Sequence, residues 1–290
     1  MLALRYENQR VGVSRVPRPR DEREAVVRVT LSGICNTDVE IARGYAGFQG
    51  TLGHEFVGVV ESAPGAPELL GRRVVGEINA GCGRCALCLA NDARHCPQRT
   101  VLGIVGRDGA HAEFLQLPVT NLLTVPDEIG DERAVFTEPL AAAWAITERV
   151  QLSAATRVAV IGDGKLGLLC AQVLSLTGAP VLLIGKHPEK LAIAERRGIE
   201  TVTLERLGNR AREFEVAVEA SGGEQGFALA LRLLSPRGVL VLKSTFHGGT
   251  MIDSARVVVD EISVIGSRCG RFAPALELLR RDAVDVLSLI

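Results

Sequence analysis

The sequence predicts an α/β protein with two domains, a β-rich domain over residues 1–130 and a doubly wound parallel sheet over residues 131–266. The chain has 290 residues, which exceeds a single typical hydrophobic core. Its first part consists of short strand-like runs broken by Gly- and Pro-containing turns. From about Asp131 onward, strand-like runs alternate with helical runs, which is typical of a parallel sheet covered by helices.

The strands of the first domain are predicted from short apolar runs. In chain order these runs are AVVRVTLSGI, HEFVGVVESA, RRVVGEI and AEFLQLP. The stretch MLALRYENQRVGVSRVPRPR also alternates like a strand, and it lacks the apolar core of a signal peptide. We therefore expect short strands joined by turns throughout this domain.

The second domain begins with the helical run DERAVFTEPLAAAWAITERV. Pro139 should disturb the middle of this helix. The next run is RVAVIGDGKLGLLCAQVLSLTGAPVLLIGKHPEKLAIAERRG, with the pattern strand, Gly-rich turn, helix, strand, turn, helix. Further buried strands are predicted for EVAVEAS, GVLVLKST and ISVIGS. This alternation predicts a parallel, doubly wound sheet.

Composition and charge exclude several classes of partner. Hydrophobic residues make up 47% of the chain and the formal net charge is −1, so the charge does not favour nucleic acid or an anionic membrane as a partner. No run of about eighteen apolar residues is free of charges, so we expect no transmembrane helix. The seven cysteines, an odd number with CxxC spacings, favour reduced, metal-binding thiols over disulfides. The cytoplasm is therefore the expected compartment.

A glycine-rich turn after the strand RVAVI predicts a dinucleotide site. Gly162, Gly164 and Gly167 form GxGxxG between a strand and a helix, the context in which this pattern is specific. The first glycine permits the tight turn, the second lets the backbone approach a pyrophosphate, and the third lets helix and strand pack closely. Together with Lys165 and Leu166, which begin the helix, these glycines are the expected contacts to the cofactor. A similar turn without a ligand is the structural alternative.

The residues after the next strand, PVLLI, bear on the choice between NAD and NADP. NAD-binding proteins place an acidic residue there, whereas this chain has Gly185, Lys186 and His187, with Lys190 one turn later. None of these four residues has a carboxylate that would repel a 2′-phosphate, so the sequence favours NADP over NAD. An ordinary solvated role for Lys186 is the alternative. Ser244, which follows a later strand, is a further candidate for contact with the cofactor.

The stretch GCGRCALCLANDARHC contains four of the seven cysteines, Cys82, Cys85, Cys88 and Cys96. Four thiolates form a closed tetrahedral zinc site that leaves no position for a substrate, so this cluster is predicted to be structural. An iron–sulfur cluster is chemically compatible with the same ligands, whereas a redox CxxC pair would not explain four cysteines.

Four other residues of zinc-binding types lie far apart in the chain. Cys35 lies in GICNTD, His54 and Glu55 lie in LGHEF, and Glu138 lies in TEPL. A catalytic zinc takes ligands of these kinds and keeps one position open for water or substrate. Each residue also has a structural interpretation, because a lone cysteine is usually a small core residue and a glutamate on an amphipathic helix usually faces solvent.

Five motifs occur in this chain in the order found in zinc-dependent medium-chain alcohol and polyol dehydrogenases. In chain order they are GICNTD, LGHEFVGVV, the cysteine cluster, TEPLAAA and VIGDGKLG. The chain resembles this family over essentially its whole length, and most closely its sorbitol and threonine dehydrogenase branch. The resemblance implies a GroES-like fold for the first domain, a Rossmann fold for the second, and a homodimer or homotetramer. It also implies that residues 267–290 begin a return to the first domain that is cut short.

The resemblance assigns metal-binding roles to individual residues. Cys35 and His54 would bind a catalytic zinc, and Glu55, Glu138 or both in alternation would complete its ligands. The four-cysteine lobe, about residues 81–97, would hold a second, structural zinc. The family therefore implies two zinc ions per chain.

Two residues near Cys35 match family residues that act beside the catalytic zinc. Thr37 would start a proton relay from the alcohol, and Asp38 would orient the ligand histidine. Asn36 stands where the family more often has Gly or Arg. The implied reaction is hydride transfer between a small-molecule alcohol or carbonyl substrate and the nicotinamide, with zinc polarising the substrate oxygen.

A different class of function is a zinc-ribbon-like binding or redox-sensing protein in which the parallel sheet is only a scaffold. It would need a basic face around the cysteine lobe, where Arg84, Arg94 and Arg99 are accompanied by Asp92. A zinc-free, quinone-reductase-type relative would lack the metal-binding residues that this chain has. The sequence therefore favours a zinc- and NAD(P)-dependent alcohol or polyol dehydrogenase.

Overall fold

The computed structural model describes residues 1–20, 23–244 and 251–290, which form two compact units. The first unit contains Met1–Glu138 and Phe272–Arg281, and the second contains Pro139–Arg271 and Asp282–Ile290. The division follows Glu138 instead of residue 130, and residues 267–290 are shared between the two units. Within the described ranges, none of the helices has both the length and the apolar character needed to cross a bilayer.

The first unit consists mainly of antiparallel strands. These are β1 (Leu2–Glu7), β2 (Arg10–Arg15), β3 (Ala25–Gly33), β4 (Gly50–Thr51), β5 (Glu55–Ser62), β6 (Arg73–Gly76), β7 (Asn79–Ala80), β8 (Thr100–Leu102), β9 (Gly106–Arg107), β10 (Phe114–Leu117) and β11 (Leu122–Thr124). The helices are α1 (Asn36–Ala42), α2 (Ala86–Leu89), α3 (Asp131–Ala134) and α4 (Thr137–Trp144), of which α4 continues into the second unit. The largest sheet has the order β10-β3-β5-β6-β11, and the smaller ones have the orders β2-β1-β4 and β7-β8-β9.

The five-stranded sheet brings the predicted metal-binding segments together. β3 and β5 pair antiparallel, and their register places Gly33, the last residue of β3, opposite Glu55, the first residue of β5. Buried β-branched residues such as Val27 fix this register, because a shift by one residue would turn them to the other face. Cys35 and His54, which lie just beyond these two strand ends, are therefore neighbours.

The helical run that the sequence predicts is interrupted at residues 135–136, shortly before Pro139. The run forms α3 and α4 instead of one helix, and Pro139 is the third residue of α4. A proline is tolerated there because the first backbone N–H groups of a helix have no acceptor within the helix. Glu138 consequently lies in the first turn of α4.

The second unit is a parallel sheet flanked by helices. In chain order its elements are β12 (Val158–Ile161), α5 (Lys165–Ser175), β13 (Val181–Gly185), α6 (Pro188–Glu195), β14 (Glu200–Thr203), β15 (Phe214–Glu219), α7 (Glu224–Leu233), β16 (Leu234–Leu242), α8 (Ser254–Val259) and β17 (Ser263–Gly266). The last α-helix, α9 (Phe272–Arg280), belongs to the first unit. The sheet order β14-β13-β12-β15-β16-β17, with every pair parallel, is that of the Rossmann fold, so the predicted fold class is confirmed.

Candidate active site

Three of the four predicted catalytic zinc ligands lie together in the first unit. The ligand atoms of Cys35, His54 and Glu55 all lie within 4.8 Å of one another. His54 and Glu55 are buried, whereas Cys35 is half-buried and is the most solvent-accessible residue of the three. A thiolate, an imidazole and a carboxylate are a donor set that zinc accepts and that leaves a fourth position open.

Asp38, on α1, connects the segments that carry these ligands. Its Oδ2 accepts a hydrogen bond from the backbone N–H of Cys35 at 2.9 Å, and its Oδ1 accepts one from the N–H of Gly53 at 3.2 Å. The same Oδ1 lies 3.4 Å from Nδ1 of His54, which leaves Nε2 as the nitrogen able to bind a metal. Asp38 therefore lies against the imidazole that the family resemblance implies it orients.

Charges at this cluster are concentrated and mostly buried. Burial raises the pKa of Asp38, but the facing imidazoles of His111 and His54 outweigh burial and hold that pKa well below its usual value. Burial also raises the pKa of Glu55, to about 7, and the neighbouring negative charge of Glu138 contributes to this rise. The cluster thus contains carboxylate charge that a divalent cation would balance.

Glu138 lies near the cluster but is not one of the side chains within 4.8 Å of the others. Its charge raises the pKa of Glu55 and also acts on His54. The net pKa of His54 is raised above its ordinary value, because neighbouring acidic groups, Asp38 first, outweigh the opposing effect of burial. Glu55 is therefore the carboxylate that groups with the thiol and imidazole as a metal-ligand candidate, and Glu138 acts on both Glu55 and His54 through its charge.

Thr37 follows the thiol by two residues and shares its surroundings. Its Oγ1 lies 3.6 Å from the sulfur of Cys35, on the first turn of α1. The hydroxyl is only partly buried, so it lies where solvent or a bound molecule can reach it.

The four cysteines of the lobe also come together. The sulfurs of Cys82, Cys85, Cys88 and Cys96 all lie within 4.8 Å of one another. The 3.7 Å separation of the Cys85 and Cys96 sulfurs is close to the roughly 3.8 Å edge expected for a tetrahedron with zinc–sulfur distances of about 2.3 Å. Gly81 permits this packing, because a Cβ there would lie 2.7 Å from the sulfur of Cys88. Cys82 has its pKa lowered to about 6, mainly by the backbone N–H of Arg84.

The glycine-rich turn in the second unit joins β12 to α5. Gly162 has φ +117°, a left-handed conformation that favours glycine, and a Cβ at Gly167 would collide with the carbonyl oxygen of Gly162. Gly164 is the N-cap of α5, whose first two residues are Lys165 and Leu166. This arrangement points the N-terminus of α5 toward the turn, as the sequence predicts for a pyrophosphate site.

Asp163, between the first two glycines, supplies a carboxylate that the sequence analysis missed. Its Oδ2 accepts the backbone N–H groups of Lys186 and His187, each at 2.7 Å, and lies 3.0 Å from Nδ1 of His187. The side chain thus lies at the carboxyl end of β13, so the premise that no carboxylate is present there is wrong. An acidic residue between two glycines of the turn was the available sequence signal, because the turn faces the adjacent strand end.

Ser244 lies at the same edge of the parallel sheet. Its Oγ accepts the backbone N–H of Gly222 at 2.9 Å, which ties the end of β16 to the turn after β15. Lys186 is exposed, and its side chain is available to solvent.

His111 is a second residue whose environment was missed. Sequence analysis assigns His111 no role, but its side chain is buried in the first unit beside Asp38 and Ser32. These partners are distant in the chain, so no local pattern could have revealed the contact.

Comparisons with known proteins agree with this arrangement. Two family models match, the alcohol dehydrogenase GroES-like domain over residues 21–127 and the zinc-binding dehydrogenase model over residues 166–281. An L-threonine 3-dehydrogenase of Deinococcus deserti is 32% identical over 291 residues, covering 92% of this chain and 83% of that protein. The chain belongs to the zinc-binding alcohol dehydrogenase family.

Another relative and two solved structures are similar to this chain over nearly its whole length. A sorbitol dehydrogenase of Halalkalibacterium halodurans is 27% identical and covers 96% of this chain and 87% of its own length. A zinc-binding dehydrogenase of Sinorhizobium meliloti 1021 bound to NADP has a TM-score of 0.88 at 28% identity, covering 98% of this chain and 90% of that one. A short chain alcohol dehydrogenase of Escherichia coli CFT073 in complex with NADH has a TM-score of 0.89 at 25% identity. The match covers 100% of this chain and 90% of that one.

Membership of this family decides between the classes of function considered above. The protein is an oxidoreductase, a zinc-type alcohol or polyol dehydrogenase that uses a nicotinamide cofactor. The zinc-ribbon-like binding protein is not supported. The predicted GroES-like and Rossmann folds and the predicted family are confirmed.

Proposed function

We propose that this dehydrogenase transfers hydride between an alcohol or polyol, or the corresponding ketone or aldehyde, and its cofactor at a zinc held by Cys35 and His54. Either Glu55 or Glu138 completes the ligands. The observation that carries the proposal is the buried cluster, in which the ligand atoms of Cys35, His54 and Glu55 lie within 4.8 Å of one another. The donor set and the excess of carboxylate charge around it fit a zinc ion.

Zinc, when bound, polarises the substrate oxygen and lowers the pKa of a substrate hydroxyl. The chain's own residues orient the ligand histidine and move the substrate proton. Thr37 is suited to accept the proton of the substrate hydroxyl at its Oγ1, 3.6 Å from the Cys35 sulfur, while its own hydroxyl proton passes outward to solvent, because the residue is only half-buried. Asp38 holds the imidazole of His54 through Nδ1, so that the ring keeps a single tautomer.

We propose NADP as the preferred cofactor. Lys186 and Lys190 supply cations after β13, where a 2′-phosphate would lie, and a related dehydrogenase is bound to NADP. The carboxylate of Asp163 opposes this preference, but two backbone N–H groups and the ring of His187 share its charge. The other proposed cofactor contacts are Gly162, Gly164, Lys165, Leu166, Gly167 and Ser244.

The cysteine lobe is proposed to hold a second zinc with a structural role. Cys82, Cys85, Cys88 and Cys96 would fill all four positions around the ion, which leaves none for a substrate. All seven cysteines are thiols in the structure, which fits a reducing compartment, and we propose the cytoplasm.

A homodimer or homotetramer is proposed for the assembly. β17 is an edge strand of the parallel sheet as far as the chain is described, and it exposes 38% of Val264. The neighbouring α8 exposes 74% of Val258 and 79% of Val259. An exposed strand edge beside apolar side chains favours association with a second copy. Light scattering coupled to size-exclusion chromatography tests this directly.

Zinc analysis together with a substrate panel tests the catalytic proposal. The purified protein is expected to hold two zinc ions per chain and to reduce NADP with at least one alcohol or polyol of the panel. Cys35→Ser should lose the activity and one zinc, because a serine hydroxyl is a much weaker zinc ligand than a thiolate. Cys170→Ala, at a buried thiol on α5 outside both clusters, is the matched control and should keep both. Full activity of Cys35→Ser would contradict the proposal.

A further inference from the structure

The carboxylate of Asp38 lies between two buried histidines. Its Oδ1 is 3.4 Å from Nδ1 of His54, and its Oδ2 is 3.5 Å from Nε2 of His111. The exposed fractions of the His54, Asp38 and His111 side chains are 4%, 6% and 8%, so bulk solvent has little access to the contacts between them. His54 is a proposed zinc ligand, whereas His111 has no role in the function derived so far.

The imidazole of His111 is held in a fixed position. Its Nδ1 lies 2.9 Å from Oγ of Ser32 on β3, and its backbone N–H donates to the carbonyl of Leu52 at 2.8 Å. Its ring packs on Gly53, where a Cβ would lie 2.7 Å from the ring. His111 is thus locked against the segment that leads directly into His54.

These contacts assign the proton on the His111 ring. An ionised carboxylate only accepts hydrogen bonds, so it favours the tautomer whose proton is on the nitrogen that faces Asp38. With the proton on Nε2, the neutral ring accepts at Nδ1, and the hydroxyl of Ser32 is the donor there. Ser32 therefore selects the tautomer of His111 that faces Asp38.

Each oxygen of Asp38 accepts one backbone N–H and faces one imidazole nitrogen at 3.4–3.5 Å. Oδ1 has the N–H of Gly53 and the ring of His54, and Oδ2 has the N–H of Cys35 and the ring of His111. Without His111, Oδ2 would keep a single donor, and the carboxylate could rotate away from Nδ1 of His54. Groups that hold a ligating histidine in this way typically change metal affinity or activity by about 10- to 100-fold.

We propose that His111 is a positioning residue for the catalytic zinc site, fixing the Asp38 carboxylate so that His54 presents Nε2 to the metal. The proposal rests on the zinc site proposed above. His111 touches neither the substrate nor the metal and acts only through Asp38. Packing of the ring on Gly53 is the competing explanation for its burial.

The test is the rate at which the holoenzyme releases its catalytic zinc to an excess of a chromophoric chelator. The Cys35→Ser protein, which keeps only the lobe zinc, identifies the phase that belongs to the lobe. His111→Phe keeps a ring of similar size but no N–H, and should speed release of the catalytic zinc about tenfold. His111→Gln keeps a donor and should stay within about threefold of the wild type.

Two further variants separate positioning from packing and from misfolding. Ser32→Ala leaves the ring in place but removes the hydroxyl that selects its tautomer, so it should also speed release, by less than His111→Phe. His187→Phe is the matched control, because its imidazole faces the carboxylate of Asp163 in the second unit and should leave zinc release unchanged.

Equal acceleration by His111→Phe and His111→Gln would show that packing matters and would overturn the proposal. Wild-type release rates in both His111→Phe and Ser32→Ala would overturn it as well. If His111→Phe does not fold, an unchanged rate in Ser32→Ala is sufficient to reject it. A wild-type protein with only one zinc would instead overturn the proposed function, and the role of His111 with it.

Discussion

Gly33 at the end of β3 lies directly opposite Glu55 at the start of β5, and a Cβ at Gly33 would collide with the Glu55 carboxylate. The absence of a side chain on one strand therefore provides the space in which the other strand holds a zinc-ligand candidate. Substitutions that disturb this arrangement can be followed by measuring stability, zinc content and activity.

Gly33→Ala is expected to displace the Glu55 carboxylate from Cys35 and His54. Overfilling a buried site typically costs about 1–3 kcal/mol, so the free energy of unfolding should fall by this amount. Activity should fall about tenfold or more while the zinc of the cysteine lobe is retained. Gly12→Ala on β2 is the matched control, since a Cβ there meets no atom within 4 Å. Wild-type activity in Gly33→Ala would contradict the expected displacement.

Thr37→Val is expected to lower kcat by about 100-fold or more, because it removes the hydroxyl proposed to accept the substrate proton and keeps the shape of the side chain. Zinc content should not change, since Thr37 is not a proposed ligand. Thr37→Ser keeps the hydroxyl and should retain most of the activity. Steady-state kinetics measure kcat for both variants. An equal loss of kcat in Thr37→Val and Thr37→Ser would argue against a proton relay through Thr37.

Cys96→Ser is expected to release the zinc of the lobe but not the catalytic zinc. Cys96 is fully buried and its sulfur accepts the N–H groups of Cys82 and Gln98, so the variant should also have a lower Tm. Arg84→Ala, on the exposed surface of the same lobe, should keep both zinc ions and the wild-type Tm. Loss of both zinc ions from Cys96→Ser would mean that the two sites are not independent.

Lys186→Ala is expected to weaken NADP binding and to leave NAD binding unchanged. One unit of charge near a 2′-phosphate contributes on the order of 1 kcal/mol at a solvated site, which corresponds to a roughly fivefold change in Kd. Titration of the reduced cofactors by fluorescence measures both values. Arg237→Ala removes an exposed cation near the amino end of β16, away from the carboxyl ends of the strands, and should change neither. Equal weakening of both cofactors would rule out a specific role for Lys186.

Asp163→Asn is expected to reduce stability at neutral pH but not in acid. Burial raises the pKa of Asp163, but the N–H groups of His187 and Lys186 outweigh burial and hold it below the ordinary value of 3.8. A carboxyl with a lowered pKa contributes stability above its unfolded pKa and loses that contribution as the pH falls toward the folded pKa. The difference in Tm between wild type and Asp163→Asn should thus be constant above about pH 5 and shrink below about pH 4. A difference that grows in acid would contradict this assignment.

The parts of the site that lie close together in the chain were predictable from the sequence. The glycines of the β12–α5 turn and the four cysteines of the lobe fall within short stretches whose residue spacing limits the local geometry. Cys35 and His54 are candidates by residue type, but only the family resemblance groups them at one zinc, because their proximity depends on the register of β3 and β5.

The contacts that sequence analysis missed join residues that no spacing rule connects. Asp163 accepts hydrogen bonds from residues 23 and 24 positions later, and His111 contacts Ser32, 79 positions earlier. Such contacts follow from the pairing of whole strands and from the end at which each strand stops. A local pattern can identify the residue type, but it does not contain the partner.

The pairing of β3 with β5 has a consequence for how the protein matures in the cell. A chain that pairs these strands one residue out of register would turn Glu55 to the other face of the sheet and move it away from Cys35, which follows the end of β3. Such a chain would lack the donor set proposed for the catalytic ion. Metal uptake would then discriminate correctly folded molecules from misfolded ones, and the metallated fraction of a preparation would measure the yield of folding.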